Sequence, residues 1–409
     1  MSAESGLSRR VTAIILTVVV ANLGNNIVAP LMPVIRDEFD SSAAQVALVA
    51  SGFGLGRLVM DLPAGYLIGR ISPNRMFTLG ILLAAGAAAL AAYSTTLEQL
   101  IAFRTAMGLG SSIMSTVALT LLARMARPEE RGSLLGFYTS AMLFGQAISP
   151  TIGGYLATLF DWRAGFLFCA LTPLVSLPLN LFATSSAADA SLPEGGGEQR
   201  GVHGHGAAPI TQECAPAPRF ALASVYLGTF VNFFDRHGMR ATLLPLYGGL
   251  VLAMDPGTIG ATLTASSVLT ILVSLPLGAA SDRVGKKRLL LPGLLTLAAG
   301  NLFLLSGESQ IVFTVATTLI SMGVLSNSML SALVADLVPE PLLGKGMGLY
   351  RFTADLGVVL GPVVLGLVVD LYGFGAASLV GAVAVLMGTA VCHLCVPQET
   401  GAVAAGGKA

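Results

Sequence analysis

Charge is scarce in this sequence. Asp, Glu, Lys and Arg make up 11% of its 409 residues, against about 25% in soluble domains. The 22 basic and 22 acidic side chains cancel, which excludes nucleic-acid binding driven by bulk electrostatics. Cysteine is scarce as well. Cys169, Cys214, Cys392 and Cys395 suggest no pairing across a short loop, so no disulfide framework is read from them. A phosphate-binding Gly-Lys-Ser/Thr loop is missing, which argues against ATP-driven pumping, and neither a hydrolase elbow nor a metalloprotease motif occurs. An enzyme is not expected, nor is a cofactor or a metal.

Apolar side chains are in excess. The chain is 54% hydrophobic with a mean hydropathy of +0.79. That is more apolar surface than a fold in water can hide, so lipid must be the solvent for much of it. The 48 glycines and 20 prolines suit membrane helices, where close packing and local kinks are tolerated. Met1 to Arg10 is short and polar, and no small-residue cleavage site follows, so the first span reads as uncleaved.

Apolar runs bounded by charges or turn residues give twelve spans, at 11–31, 44–68, 76–93, 98–124, 132–159, 164–183, 220–250, 257–281, 289–306, 310–335, 346–370 and 375–396. Each is long enough to cross a hydrocarbon core of about 30 Å. Fifteen of the 22 Lys and Arg then fall on one side, only Arg36 and Arg163 on the other, and five inside spans. The positive-inside rule makes the crowded side the cytoplasm and puts both termini there; the expected location is a bacterial inner (plasma) membrane. Residues 184–218 are rich in Gly, Ala, Ser and Pro and read as a flexible cytoplasmic linker. Its His203, His205 and Cys214 lack a fixed ligand spacing, so an unstructured tether is the better reading than a metal site. The expected organisation is an N-terminal six-helix bundle (1–183), the linker, a C-terminal six-helix bundle (219–396) and a cytoplasmic tail (397–409).

The most informative stretch runs from Gly278 to Arg288 and carries Asp282, Arg283, Gly285, Lys286 and Lys287. A partner runs from Gly65 to Arg75, 213 residues earlier, and each copy follows a Leu-Pro pair. A repeat of about half the chain, in so apolar a sequence, suggests a transporter built from two matched bundles. The stretch resembles the loop signature of the major facilitator superfamily, Gly-x-x-x-Asp-Arg-x-Gly-x-basic-basic. The second copy matches it throughout. The first keeps Gly65, Arg70 and Arg75, but has Gly69 in place of Asp and Ser72 in place of Gly. Arg104, Gly108 and Gly110 resemble the superfamily's Arg-x-x-x-Gly-x-Gly pattern, whose arginine is associated with proton coupling. Gly145, Ser149, Pro150, Gly153 and Gly154 resemble its antiporter signature, followed by Asp161-Trp162-Arg163. Gly357, Gly361, Pro362 and Gly366 repeat the idea in the eleventh span. The resemblance implies an all-α membrane protein of twelve transmembrane helices in two pseudo-symmetric six-helix bundles. It also implies that Asp282, with Arg283, latches the cytoplasmic side. With Gly69 in the other copy, that latch is asymmetric.

Glycines spaced by four line one helix face and admit a close neighbour, and proline removes a backbone donor and permits a bend. Charges in mid-membrane each need a reason, since they cost about 2.5–3.5 kcal/mol on insertion scales. Arg57 and Asp61, and Arg351 and Asp355, are each four apart, so each pair can close within its own helix. Both pairs read first as parts of the cytoplasmic gate, with Arg70, and second as proton carriers. In the seventh span Asn232, Arg236 and Arg240 form a polar stripe, the best candidate substrate surface, while Asp235 and His237 point elsewhere and remain titratable. The competing reading is that Gly238 interrupts the helix there. The first span offers Asn22, Asn25 and Asn26 but no acid, which moves the expected proton site to Asp61, Asp355 and Asp235 beside Arg104. Five intramembrane arginines against three aspartates favour an anionic substrate. Cys392 and Cys395 read as ordinary helix residues.

The expected function is proton-coupled efflux of a small organic compound by alternating access, with Asn25, Asn26, Asn232, Arg236, Arg240 and Tyr350 lining the cavity of a monomer in the lipid bilayer. Uptake by symport or facilitation, and a scaffold or sensor without flux, are the alternatives.

Overall fold

The computed structural model describes residues 16–17, 19–20, 23–24, 26–67, 70–125, 131–185 and 219–396. Side chains at 62, 65, 123–125, 131–133, 135–136, 176, 178–185, 219, 275–284 and 341 are outside that description. The expected linker and tail, Asn25, and the side chains of Asp282 and Arg283 therefore lie outside the described residues.

Every regular element among the described residues is helical. A 3₁₀ turn at Ala29–Leu31 leads into α1 (Met32–Glu38). Then come α2 (Ala43–Leu67), α3 (Pro73–Ala92), α4 (Leu97–Met125), α5 (Arg131–Leu159) and α6 (Trp162–Ser185). The second half holds α7 (Arg219–Asp235), a π-helical segment (Arg236–Leu243), α8 (Leu244–Leu250), α9 (Pro256–Val284) and α10 (Lys286–Leu304). It closes with α11 (Gln310–Met322), α12 (Leu325–Leu337) and α13 (Leu343–Cys395). Every expected span from the second to the twelfth is occupied by helix, and among the described residues seven helical stretches are long and apolar enough to cross a membrane. The last two spans share α13, which turns at Gly373 with φ of 84°, a conformation that glycine adopts without a steric penalty.

Local chemistry starts and bends these helices. Pro73 and Pro256 stand at first helical positions, where a missing N–H costs nothing. Asp255 caps α9 by accepting from the Thr258 backbone N–H at 3.0 Å. The seventh span does not break at Gly238. It widens into the π segment, and Gly238 lies against the Gly361 carbonyl and Leu365 of α13, where a Cβ would have no room. The tenth span does break, between α11 and α12, and the Gly323 carbonyl there accepts from Asn232 Nδ2 at 3.0 Å.

Two antiparallel seams join the bundles. Along the first, α2 meets the first half of α13. Asp370 accepts from the Ala43 and Ala44 N–H groups at 2.8 and 2.9 Å, Ser51 Oγ donates to the Val359 carbonyl at 2.7 Å, and Asp61 meets Arg351. Along the second, α5 meets α9. Gly154 touches the Pro256 carbonyl, Gly260 touches that of Pro150, and the Gly257 N–H donates to Thr158 Oγ1 at 3.1 Å. The 43–370 and 154–256 contacts close one end of the molecule. The basic loops near Arg70, Arg75, Lys286 and Arg288 mark the other, here the basic end. Within the bundles, Gly357 and Gly361 of α13 fit against the backbone of α7 at Phe230 and Phe234, and Gly153 fits against Ile27. Of the signature glycines, Gly154 and Gly366 meet the opposite bundle, Gly154 at Pro256 and Gly366 at Ala43 and Ala44.

Candidate transport site

Between the bundles lies a cavity of about 60 Å³ lined by Asn26, Gln146, Arg236, Arg240, Ser267 and Ser321, among others. That is room for about four waters, or for one small charged head group. The π segment decides what faces it. A π turn rotates its side chains relative to an α-helical register, so the stripe of Asn232, Arg236 and Arg240 is not one surface. Arg236 and Arg240 line the cavity, while Asn232 is fully buried against the break in the tenth span.

Arg240 is held firmly. Its Nε donates to Ser321 Oγ at 2.7 Å, and its Nη2 to the Leu263 carbonyl at 3.1 Å and to Ser267 Oγ. The guanidinium of Arg236 lies 5.8 Å from the Phe233 ring centroid. Neither arginine has a carboxylate partner among the described residues. Two cations with only neutral acceptors around them make a site of unbalanced positive charge, the arrangement that recognises a carboxylate or phosphate. Asn26 borders the cavity and donates Nδ2 to the Gln146 carbonyl at 3.3 Å. Tyr350 donates to the Asn327 carbonyl at 3.2 Å and is not among the lining residues described.

The gate charges do not pair as their spacing suggests. Asp61 of α2 is bonded by Arg351 of α13, Nε to Oδ2 at 2.7 Å and Nη2 to Oδ1 at 3.2 Å, and it also accepts from Ser112 Oγ. Within its own helix Arg351 stands 4.0 Å from Asp355. Arg57 Nε is buried without a hydrogen-bond partner among the described residues, and the Arg57–Asp61 pair within α2 gives way to a pair across the bundles. The cause is tertiary: the seam brings Arg351 alongside Asp61, and a forked guanidinium matches a carboxylate. Arg57 and Arg351 also reach a second cavity, about 210 Å³, among α2 to α6, lined by Ser111, Ser115 and Tyr138 with several apolar side chains.

Arg104 is buried, with Nε on the Val49 carbonyl at 3.4 Å and its guanidinium 4.6 Å from the Phe53 ring centroid. No carboxylate pairs with it among the described residues. Asp235 faces away from the cavity, into the second bundle, and accepts from Asn301 Nδ2 at 2.7 Å. His237 stacks on Phe233. Arg70 is exposed and lies over Tyr66. Cys392 is buried and donates to the Ser224 carbonyl.

Sequence reasoning missed the hydroxyl side of the cavity. Ser267, Thr270 and Ser274 recur at helical spacing in an apolar span and line it with Ser321. Their periodicity was the available signal. Asp370 and Ser112 gave none, since each matters only through a helix remote in sequence.

A paired helical bundle of this kind, with an inter-bundle cavity and charged seams, defines a polytopic membrane transporter. The family model described as Major Facilitator Superfamily matches residues 14–234 and again 225–407. The chain belongs to that superfamily and is a transporter, not an enzyme. It is 21% identical to an uncharacterised MFS-type transporter of Methanocaldococcus jannaschii, over 90% of this chain and 93% of that one. It is 25% identical to the hexuronate transporter of Bacillus subtilis, over 89% of each. Its likeness to the multidrug resistance protein B homolog of Mycobacterium tuberculosis, 29% identical, spans 45% of this chain and 33% of that one. Among solved structures, a bacterial homolog of the human lysosomal transporter Spinster, inward-facing and occupied, superposes with a TM-score of 0.75 at 13% identity, covering 94% of this chain and 96% of that one.

Proposed function

We propose that this transporter moves a small organic anion by alternating access, coupled to protons, and that its working direction is uptake. The observation that carries the reading is the pair Arg236 and Arg240, turned by the π segment into the inter-bundle cavity with no carboxylate beside them among the described residues. A carboxylate group fits the chemistry of two guanidinium forks ringed by serine and threonine hydroxyls. The hexuronate transporter that shares most of this chain's length moves an anion by its printed name, which supports the same substrate class.

In this reading the halves 1–183 and 219–396 rock about the site, and the basic end faces the cytoplasm with both termini. The α2–α13 charges form the gate at that end. With the seam closed, Asp61 is paired across it by Arg351. When the helices part, Asp61 falls back on Arg57 and Asp355 on Arg351, each four residues away on its own helix. Both carboxylates thus keep a cation in both states, which lowers the cost of opening. Asp282 and Arg283 add a latch at the same end, and Arg104 serves coupling.

Export, the direction expected from the sequence, is the second reading, and the multidrug resistance relatives favour it. Counterflow in proteoliposomes tests the substrate class. Labelled sugar acids and other small carboxylates should exchange, lipophilic cations should not, and Arg240→Ala should cut exchange at least about tenfold, the size of one lost charge-assisted bond. Exchange of cations alone would overturn the reading. A cell expressing the protein should gain the exchanged anion from the medium; depletion would turn the direction to export.

A further inference from the structure

Asp235 is fully buried, and only half of its carboxylate is satisfied. Oδ1 accepts from Asn301 Nδ2 at 2.7 Å, while Oδ2 has no partner among the described residues. Asn301 is also fully buried, and its own Oδ1 has no partner either. Two acceptor oxygens thus lie in the interior of the second bundle, at its α7–α10–α13 junction, with no donor to them among the described residues. The surroundings are otherwise tight. Ser378 Oγ donates to the Asn301 carbonyl at 2.7 Å, and a Cβ on Gly381 would strike Asp235 Oδ1. Asn301 comes from α10, and Ser378 and Gly381 from α13. On its own element Asp235 is followed by Arg236 and His237, and no charged side chain among the described residues contacts it.

An ionised carboxylate without a counter-charge in such a place is costly enough that it takes up a cation. We propose that Asp235, oriented by Asn301, is the binding site of the coupling proton, separate from the anion cavity and on the far side of the same helix. The proton adds to Oδ2, converting a carboxylate to a carboxylic acid, and leaves from the same oxygen to the other aqueous phase once the bundles have rocked. Asp235 directly precedes Arg236, which faces the anion. A negative charge there opposes anion binding, and its neutralisation favours it. Proton and anion therefore load and unload together, which is symport. This inference rests on the anion reading of Arg236 and Arg240 and supplies its coupling step.

The test uses the full-length protein in proteoliposomes and the carboxylate that exchanges best in counterflow. Asp235→Asn should lose accumulation driven by an inward proton gradient, and lower counterflow, which moves no net proton, far less than it lowers accumulation. Asn301→Ala removes a donor to the ionised form, so the pH profile of driven uptake should move about one to two units alkaline. A merely structural asparagine would lower activity without moving the profile. An infrared band of a protonated carboxyl that is absent from Asp235→Asn would support the site, with no reliance on transport. Retained proton-driven accumulation in Asp235→Asn overturns it. Accumulation that follows a sodium gradient and ignores pH overturns it in favour of a metal cation. If wild-type protein exchanges no anion, the anion reading fails, and the infrared band still decides the proton site.

Discussion

The Asp61–Arg351 bond crosses the seam at which the bundles must part at the basic end. Two unit charges about 4 Å apart attract by about 4 kcal/mol at an effective dielectric constant of 20. Desolvation and lost side-chain freedom offset much of that. The Asp61 side chain is 12% exposed and that of Arg351 38%, which puts the pair between an exposed ion pair, at about 0.2–1 kcal/mol, and a buried one, whose breaking costs about 3–5 kcal/mol. A coupling of about 1–2 kcal/mol follows, or about 5–30-fold in the ratio of open to closed gate. The assay is alkylation of a single cysteine at Ser115, in the larger cavity, after the four native cysteines are replaced. A membrane-impermeant maleimide is applied from the basic side. Asp61→Arg leaves three arginines together and Arg351→Asp leaves three aspartates, so each single reversal should raise the alkylation rate by that factor. The double reversal restores a cross-seam pair and should bring the rate back toward wild type. A double variant as reactive as either single one would refute the gate.

Two other predictions concern the far end. Gly154 lies against the Pro256 carbonyl, whereas no atom of the described residues lies within 4 Å of the position a Cβ would take at Gly86. Gly154→Val should therefore hold the α5–α9 seam apart and lower counterflow at least about tenfold, the equivalent of about 1.4 kcal/mol of overpacking. Gly86→Ala should leave counterflow unchanged, and equal effects of the two would show that the seam does not close there. Asp255, in the loop before α9, is held below its ordinary range chiefly by the side-chain hydrogen bond from Thr258. A depressed carboxylate stabilises the fold above its unfolded pKa and loses that contribution as pH falls through the folded value. Asp255→Ala should lower stability in detergent by about 0.5–1 kcal/mol at neutral pH, and the difference should shrink as the solution is taken below about pH 4. A difference that grows on acidification would contradict the cap.

The sequence by itself determined that the chain lives in lipid, that it is helical, and where nearly every span lies. An apolar run has one stable solution in a bilayer, because each backbone group must be satisfied within its own segment. It also marked Arg236 and Arg240 as the residues to watch, since a charge in such a run is expensive wherever it sits. What it left open were the relations between spans. Helical spacing joined Asp61 to Arg57, whereas packing joined it to Arg351, 290 residues away. The same spacing put Asn232 on the substrate face, but Arg236 and Arg240 lie in the π segment, out of register with it, and Asn232 instead holds the break at Gly323. Asp370 looked like the end of a span and proved to be the cap of α2. Local periodicity fixes which residues share a face of one helix. Which face meets which neighbour is set by the fit of two whole bundles, and only the tertiary structure decides that.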